Sequence, residues 1–129
     1  MLHVSNELVK FSLKVIRLCI KMQISVAIEN PLSSMLWSLP ELSQLSARGG
    51  AKIKTDFCCW GEAWRKSTRV WFWNTDLTLG AKRCSGRGLC SRTKKPHTAL
   101  SGLDPHGFFC TKKAQEYPLR WTSQLADIF

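Results

Sequence analysis

The segment Thr68-Arg69-Val70-Trp71-Phe72-Trp73 constrains the fold more than any other part of the sequence. Apart from Arg69 it is built of β-branched and aromatic residues, whose bulk crowds the preceding turn of a helix and packs well on a pleated strand. With a period of two, Trp71 and Trp73 share one face of that strand. Such a face needs cover, and a core or a subunit interface is its commonest use. A second use is open, because Trp60, Trp64, Trp71 and Trp73 lie beside Arg65, Lys66 and Arg69, and aromatics interleaved with bases can stack nucleic-acid bases and grip phosphates. In a sheet lacking its other half, the same faces would stay uncovered and call for a partner.

The neighbouring segments supply the other elements. Lys52 to Trp60 alternates enough for a strand and is followed by a turn at Gly61. Upstream, Ile24-Ser25-Val26-Ala27-Ile28 is a short run suited to a buried strand, ended by Glu29-Asn30-Pro31. Ser38-Leu39-Pro40-Glu41 has the form of a helix start, with Ser38 as cap and Pro40 in the first turn, and Gly49-Gly50 ends that helix. Residues 6 to 22 form an amphipathic helix: Lys10, Lys14, Arg17 and Lys21 fall in one stripe at about 100° per residue, and Leu8, Phe11, Val15, Leu18 and Met22 on another face. A docked surface helix is the expectation. A mitochondrial transit peptide or a membrane-surface helix is the alternative.

The order helix, strand, helix, strand, strand predicts an α/β fold. Residues 1–75 form this part, and residues 76–129 are expected as a basic, loop-rich segment with short helices at 111–117 and 119–128. A chain of 129 residues and 14.7 kDa has room for one ordinary domain, not for a multidomain enzyme.

Charge is unevenly spread. The chain carries 19 Lys and Arg against 9 Asp and Glu, a net charge of +10, and nearly all of the excess lies after residue 47. The densest patch holds Lys82, Arg83, Arg87, Arg92, Lys94 and Lys95 without an acid, broken by Gly80, Gly86, Gly88 and Pro96. A basic loop of this kind is either a solvated linker or a polyanion contact. No stretch reaches the roughly 20 apolar residues that span a bilayer, and the N-terminal bases break any secretory signal. A soluble, intracellular protein, nuclear or cytoplasmic and without a membrane partner, is therefore expected.

Six cysteines without a secretory signal are expected as free thiols in a reducing compartment. The spacing of Cys84, Cys90 and His97, with Cys110 beyond, could supply four soft ligands to zinc, but it lacks the paired Cys-x2-Cys knuckles of familiar zinc sites. No metal site is therefore assigned, and these residues are expected as small loop residues. Cys58 and Cys59 sit in an apolar run predicted as strand, where a thiol is inert packing. His3, His97 and His106 form no triad spacing and are expected at the surface. Gly86-Arg87-Gly88 matches no nucleotide-binding pattern.

The polar step Glu29-Asn30-Pro31 after a buried strand is the feature with most chemistry. In open α/β sheets the carboxyl end of a strand is where ligands bind. A carboxylate and a carboxamide there can hydrogen-bond the edge of a planar heterocycle, or Glu29 can cap the following turn. Here the chain resembles the C-terminal half of the cytosine-C5 DNA methyltransferases, S-adenosylmethionine-dependent enzymes of Rossmann-like fold, in which a strand ends in Glu-Asn-Val or Glu-Asn-Pro. The resemblance implies that Glu29 and Asn30 contact the flipped target base.

Trp60-Gly61 and the segment Arg65 to Val70 are similar to the aromatic-Gly turn and basic segment that lead into the family's last strand, which implies DNA-facing roles for Lys66 and Arg69. Glu62-Ala63-Trp64 replaces the family's Pro-Gln, and the basic segment is one residue longer. His97, Leu100-Ser101-Gly102 and Ala114 to Pro118 resemble uncharacterised relatives of the group.

The family's Gly-rich cofactor loop and its Pro-Cys nucleophile have no counterpart, so a truncated, partial Rossmann-like sheet is expected. S-adenosylmethionine is implied for a complete domain and not for this chain, which is expected to be inactive alone. The expected partners are nucleic acid, DNA above all, through Arg65, Lys66, Arg69, Lys82, Arg83, Arg87, Arg92, Lys94 and Lys95, and a missing half supplied in trans. Two other readings stay open: a non-enzymatic basic nucleic-acid-binding protein, and a remnant of a gene or mobile element.

Overall fold

A computed structural model describes residues 2–103, 105–107 and 115–129. Helix α1 (Leu2–Lys21) leads into strand β1 (Val26–Pro31), followed by a 3-10 turn at Met35–Ser38, a short helix α2 (Pro40–Gln44) and another 3-10 turn at Leu45–Arg48. Strand β2 (Ala51–Asp56) ends in a 3-10 turn at Phe57–Trp60 and returns as β3 (Ser67–Trp73). A 3-10 turn at Thr78–Gly80, a stretch at 81–102 without helix or strand, and helix α3 (Leu119–Ala126) follow among the described residues. The fold is mixed α/β. Among the described residues the sheet has three strands in the order β1-β3-β2, with β3 antiparallel to both neighbours.

The central position of β3 explains its composition. Period two sends Val70 and Phe72 to one face and Trp71 and Trp73 to the other, and all four are buried. Under one face lie Leu13 and Ile16 of α1 with Leu42 and Leu45, packed on the two indoles, which stack with centroids 4.8 Å apart. Over the other face lie Ile53, Phe57, Trp60, Leu77 and Trp121. The core therefore continues past residue 75, with Leu77 and Trp121 in the same cluster as Val70 and Phe72. Trp71 and Trp73, like Trp60, serve as core, so none of the three offers a stacking surface to a nucleic acid. Gly50 allows the close approach of Trp73: its φ is +85°, and a Cβ there would lie 2.5 Å from the indole Nε1.

Several elements differ from expectation. β1 continues through Glu29, Asn30 and Pro31, because Asn30 pairs with Arg69 and Pro31 with Thr68 at the sheet edge, where a proline costs no ladder bond. The expected helix from Ser38 to Gly49 is a short α segment followed by a 3-10 turn, with a further 3-10 turn ending at Ser38, and Leu39 occupies the cap position without a side-chain bond. Ser38 instead donates to the Met35 carbonyl at 2.8 Å. Cys58 and Cys59 lie in the 3-10 turn, not in a strand. The helix expected at 111–117 falls largely outside the described residues.

Helix α1 carries two apolar stripes and buries the one that sequence periodicity did not select. Val9, Leu13, Ile16 and Ile20 face the sheet. Leu8, Phe11, Val15, Leu18 and Met22 are exposed, Phe11 to 65%. The basic stripe lies between the two. Leu13→Ala or Ile16→Ala is expected to cost about 2–5 kcal/mol in denaturant unfolding, and Leu18→Ala less than about 0.5 kcal/mol; the reverse ranking would mean that α1 docks through its other stripe.

Candidate functional site

Asp56 closes β2 and organises everything that follows it. Its side chain is fully buried. Ser67 Oγ donates to its Oδ1 at 2.5 Å, while the Cys84 N–H at 2.7 Å and Arg83 Nε at 3.0 Å donate to its Oδ2. Arg65 Nε lies 3.4 Å from Oδ1, and Arg65 Nη2 also donates to the Cys84 carbonyl at 3.1 Å. The Asp56 backbone N–H bonds the Lys82 carbonyl at 2.7 Å. Burial alone would raise the Asp56 pKa, but the Ser67, Cys84 and Arg65 interactions outweigh it and hold the carboxyl below its ordinary 3.8.

This anchoring brings the loop at 82–98 onto the turn after β2. Cys58, Cys84, Cys90 and His97 converge there, with their donor atoms all within 4.8 Å of one another. Cys84 Sγ lies 3.6 Å from His97 Nε2. Ser91 approaches Cys84 Sγ with both its backbone N–H and its hydroxyl, each at 3.4 Å. The Ser91 hydroxyl and N–H, with the Gly86 N–H and against burial, bring the Cys84 thiol down to about 6. The Thr93 N–H does most to bring Cys90 down to about 7, burial opposing it and the Arg92 N–H assisting. Burial first, then the neighbouring sulfurs, pushes Cys58 up. Two turns thus offer N–H groups to sulfur, as turns around thiolates do.

The turn between Cys84 and Cys90 is tight enough that a Cβ on Gly86 would fall 1.7 Å from the Leu89 carbonyl oxygen. The loop's far end is tied down by Arg92, whose Nε donates to the Cys58 carbonyl at 2.5 Å and whose Nη2 donates to the Glu62 carbonyl at 3.2 Å.

His97 is therefore half-buried against sulfur rather than a free surface residue. Cys58, read as inert packing in a strand, stands in the cluster, because the 3-10 turn swings it towards the loop. Cys110 lies outside the described residues. The sequence signal that could have found Cys58 is weak: it is separated from Cys84 by the whole β3 strand.

Glu29 and Asn30 occupy adjacent strand positions and so face opposite sides of the sheet. Glu29 accepts a hydrogen bond from the Tyr117 hydroxyl through Oε1, beside a shallow groove of about 270 Å³ lined by Ala27, Val70, Leu77, Tyr117 and Trp121. Tyr117, Phe57 and Trp121 make an aromatic cluster with centroids 5.1–6.3 Å apart. Asn30 lines a separate groove of about 530 Å³ between β1, α1 and the turn at Met35–Ser38.

The nine basic residues expected to meet nucleic acid divide by what they touch. Arg65, Arg83 and Arg92 hold the loop in place through Asp56 and backbone carbonyls. Lys82 lies 4.2 Å above the Trp60 ring, Lys66 5.5 Å above Phe57 and Arg69 5.4 Å above Trp37. Arg87, Lys94 and Lys95 project from the exposed loop. Among the described residues no helix is long and apolar enough to cross a membrane.

No protein-family model matches the chain, and neither a curated protein nor a solved structure matches it.

Two measurements check this geometry. Asp56→Ala should destabilise the chain by about 3–5 kcal/mol, since it strands buried donors. A carboxyl with a depressed folded pKa contributes stability that is complete above its unfolded value and lost as pH falls through the folded one; acid unfolding below about pH 4 should therefore weaken in Asp56→Asn, and an unchanged acid limb would contradict the role. Tyr117, the one tyrosine of the chain, is pushed up to about 12, by burial first and then by Glu29. In Glu29→Gln its phenolate absorbance should titrate at lower pH, and an unmoved midpoint would deny the Glu29 contact.

Proposed function

We propose that the chain is the substrate-base side of a methyltransferase-like α/β domain, binding nucleic acid and transferring no methyl group by itself. The observation that carries this reading is the pairing of β1 with β3. It sets Glu29 opposite Val70 and Asn30 opposite Arg69, so that the Glu-Asn-Pro step and the basic segment, the two stretches that resemble the cytosine-C5 family, meet at one end of the sheet.

A second feature agrees with it. Among the described residues no strand pairs with the outer edge of β1, and exposed Phe11 and Val15 of α1 flank that edge. An apolar, unpaired edge is a place where a further strand adds, and the remainder of a Rossmann-like sheet is that strand's source in this proposal.

In such a domain Glu29 contacts the base. Tyr117 uses one oxygen of the carboxylate, and the second is able to accept from a base amino group or to hold a proton at a ring nitrogen. The strands end at Pro31, Asp56 and Trp73, followed by Leu32, Phe57 and Asn74, and none of these turns offers the glycine cradle that a methyl donor needs. No S-adenosylmethionine site is therefore assigned to this chain.

Phosphate contact falls to Arg87, Lys94 and Lys95. That three of the nine bases are spent on internal bonds favours a second, simpler reading, a basic loop that binds polyanions without reading bases. Fluorescence anisotropy with the full chain separates the two. Binding to a duplex carrying an unpaired cytosine should exceed binding to the same duplex with an unpaired thymine, and Glu29→Gln should abolish that preference while leaving the salt dependence intact. Replacing Arg87, Lys94 and Lys95 by Ala should weaken both complexes equally and flatten the slope of log K against log salt by about 0.9 for each phosphate that the chain no longer neutralises. A preference unaffected by Glu29→Gln removes the base-contact role, and no binding at low salt removes both readings.

A further inference from the structure

The cysteines are the chain's least explained feature. Three of them and one histidine, drawn from the turn after β2 and from the basic loop at 82–98, meet at one point. We propose that Cys58, Cys84, Cys90 and His97 bind one zinc ion as a closed structural site that fastens the loop at 82–98 to the turn after β2. This goes beyond the nucleic-acid reading and does not depend on it.

The spacing of the donors fits the ion. Zn–S bonds of about 2.3 Å and a Zn–N bond of about 2.0 Å at tetrahedral angles place donors roughly 3.5–3.8 Å apart. Cys84 Sγ and His97 Nε2 are 3.6 Å apart, and no pair among the four exceeds 4.8 Å. Closing onto an ion therefore asks for side-chain shifts of about 1 Å or less at the widest pair.

The surroundings of the sulfurs fit it as well. Ser91 directs an N–H and a hydroxyl at Cys84 Sγ, and these donors suit a thiolate better than a thiol. Gly86 lets the turn fold back on Leu89, which carries Cys90 round to the same point. Burial points the same way. Cys58, Cys84 and Cys90 are 0, 5 and 3% exposed, among the described residues no acid joins them, and they pack as a cluster of their own apart from the two hydrophobic cores. Three thiols and an imidazole gathered outside the apolar core are poor packing and a good soft ligand set.

Four protein donors leave no open position for water, so the site is structural and not catalytic. On binding, each S–H gives its proton to solvent as the S–Zn bond forms, and His97 coordinates through neutral Nε2. The metal then does for the loop what Asp56 does at its start: the loop is held at Cys84 by the carboxylate and at Cys84, Cys90 and His97 by the ion. Arg87, Lys94 and Lys95 lie between or beside those ligands and are presented on a fixed frame.

The test uses the full chain purified with zinc. Elemental analysis should find one zinc per chain. Cobalt(II) replacing it should show a thiolate-to-metal charge-transfer band and the intense visible bands of tetrahedral coordination. Cys58→Ser and His97→Ala should each lose the stoichiometric metal. Cys59→Ser and Cys110→Ser should keep it, and His97→Cys should keep it with shifted cobalt bands.

Alkylation mapping reads the same ligand set without any variant: Cys58, Cys84 and Cys90 should be protected in the zinc-loaded chain and become reactive together when a chelator is added. The proposal is overturned by a folded chain that takes up neither zinc nor cobalt. A chelator-sensitive protected set containing Cys110 in place of Cys58 overturns it too, as does a metal-free mass two hydrogens light that marks a Cys58–Cys84 or Cys84–Cys90 disulfide.

Discussion

A single buried carboxylate, Asp56, sets where the second half of the chain goes. It sits at the last residue of β2, and a charge there, taken wholly out of water, must be met by donors from somewhere. Ser67 at the start of β3 supplies one, Arg65 just before it another, and Arg83 and the Cys84 N–H complete the set. The hairpin and the loop after residue 80 are thereby joined at one point. Cys84 arrives next to Cys58 because its own backbone N–H is bonded to Asp56, so the cysteine cluster is a consequence of the carboxylate's hydrogen bonding.

The sheet shows the same dependence of one part on another. β3 can be hydrophobic on both faces only because α1 and α2 cover one side while the turn at Phe57–Trp60, Leu77 and Trp121 cover the other. Three strands are a small sheet, and the middle one gains most from it. Among the described residues no strand pairs with the outer edge of β1, and α1 leaves an apolar stripe exposed beside it.

Much of the fold was legible. The β3 segment, the position of β2 up to Asp56 and the turn at Gly61 follow from side-chain bulk, alternation and glycine, and the helix at 119–126 lies within the short helix expected over 119–128. Local signals misled where two of them competed. On α1 two apolar stripes have nearly equal claims, and the one with Leu13 and Ile16 docks because it meets the indoles of Trp71 and Trp73. At Ser38 a good capping sequence is overridden by the Met35–Ser38 turn, which Ser34 caps instead through its bond to the Leu36 N–H. Of the candidate site, Cys84, Cys90 and His97 could be singled out by spacing, yet Cys58 could not. Ligand spacing within one loop is a local property, whereas Cys58 reaches the loop only through the return of β3.

By itself the sequence determined the β-branched and aromatic strand, the uneven positive charge, the amphipathic first helix and the polar step at Glu29-Asn30-Pro31, all of which rest on interactions between near neighbours. The tertiary structure alone decided which helix stripe is buried, that Glu29 and Asn30 face opposite sides of an antiparallel sheet, that Arg65, Arg83 and Arg92 serve the loop's own architecture, and that four soft donors meet. The physical reason is that each of these depends on pairing at long sequence separation. A buried carboxylate needs donors wherever they come from, and a strand needs cover from whichever element can reach it. Neither requirement leaves a periodic mark in the sequence.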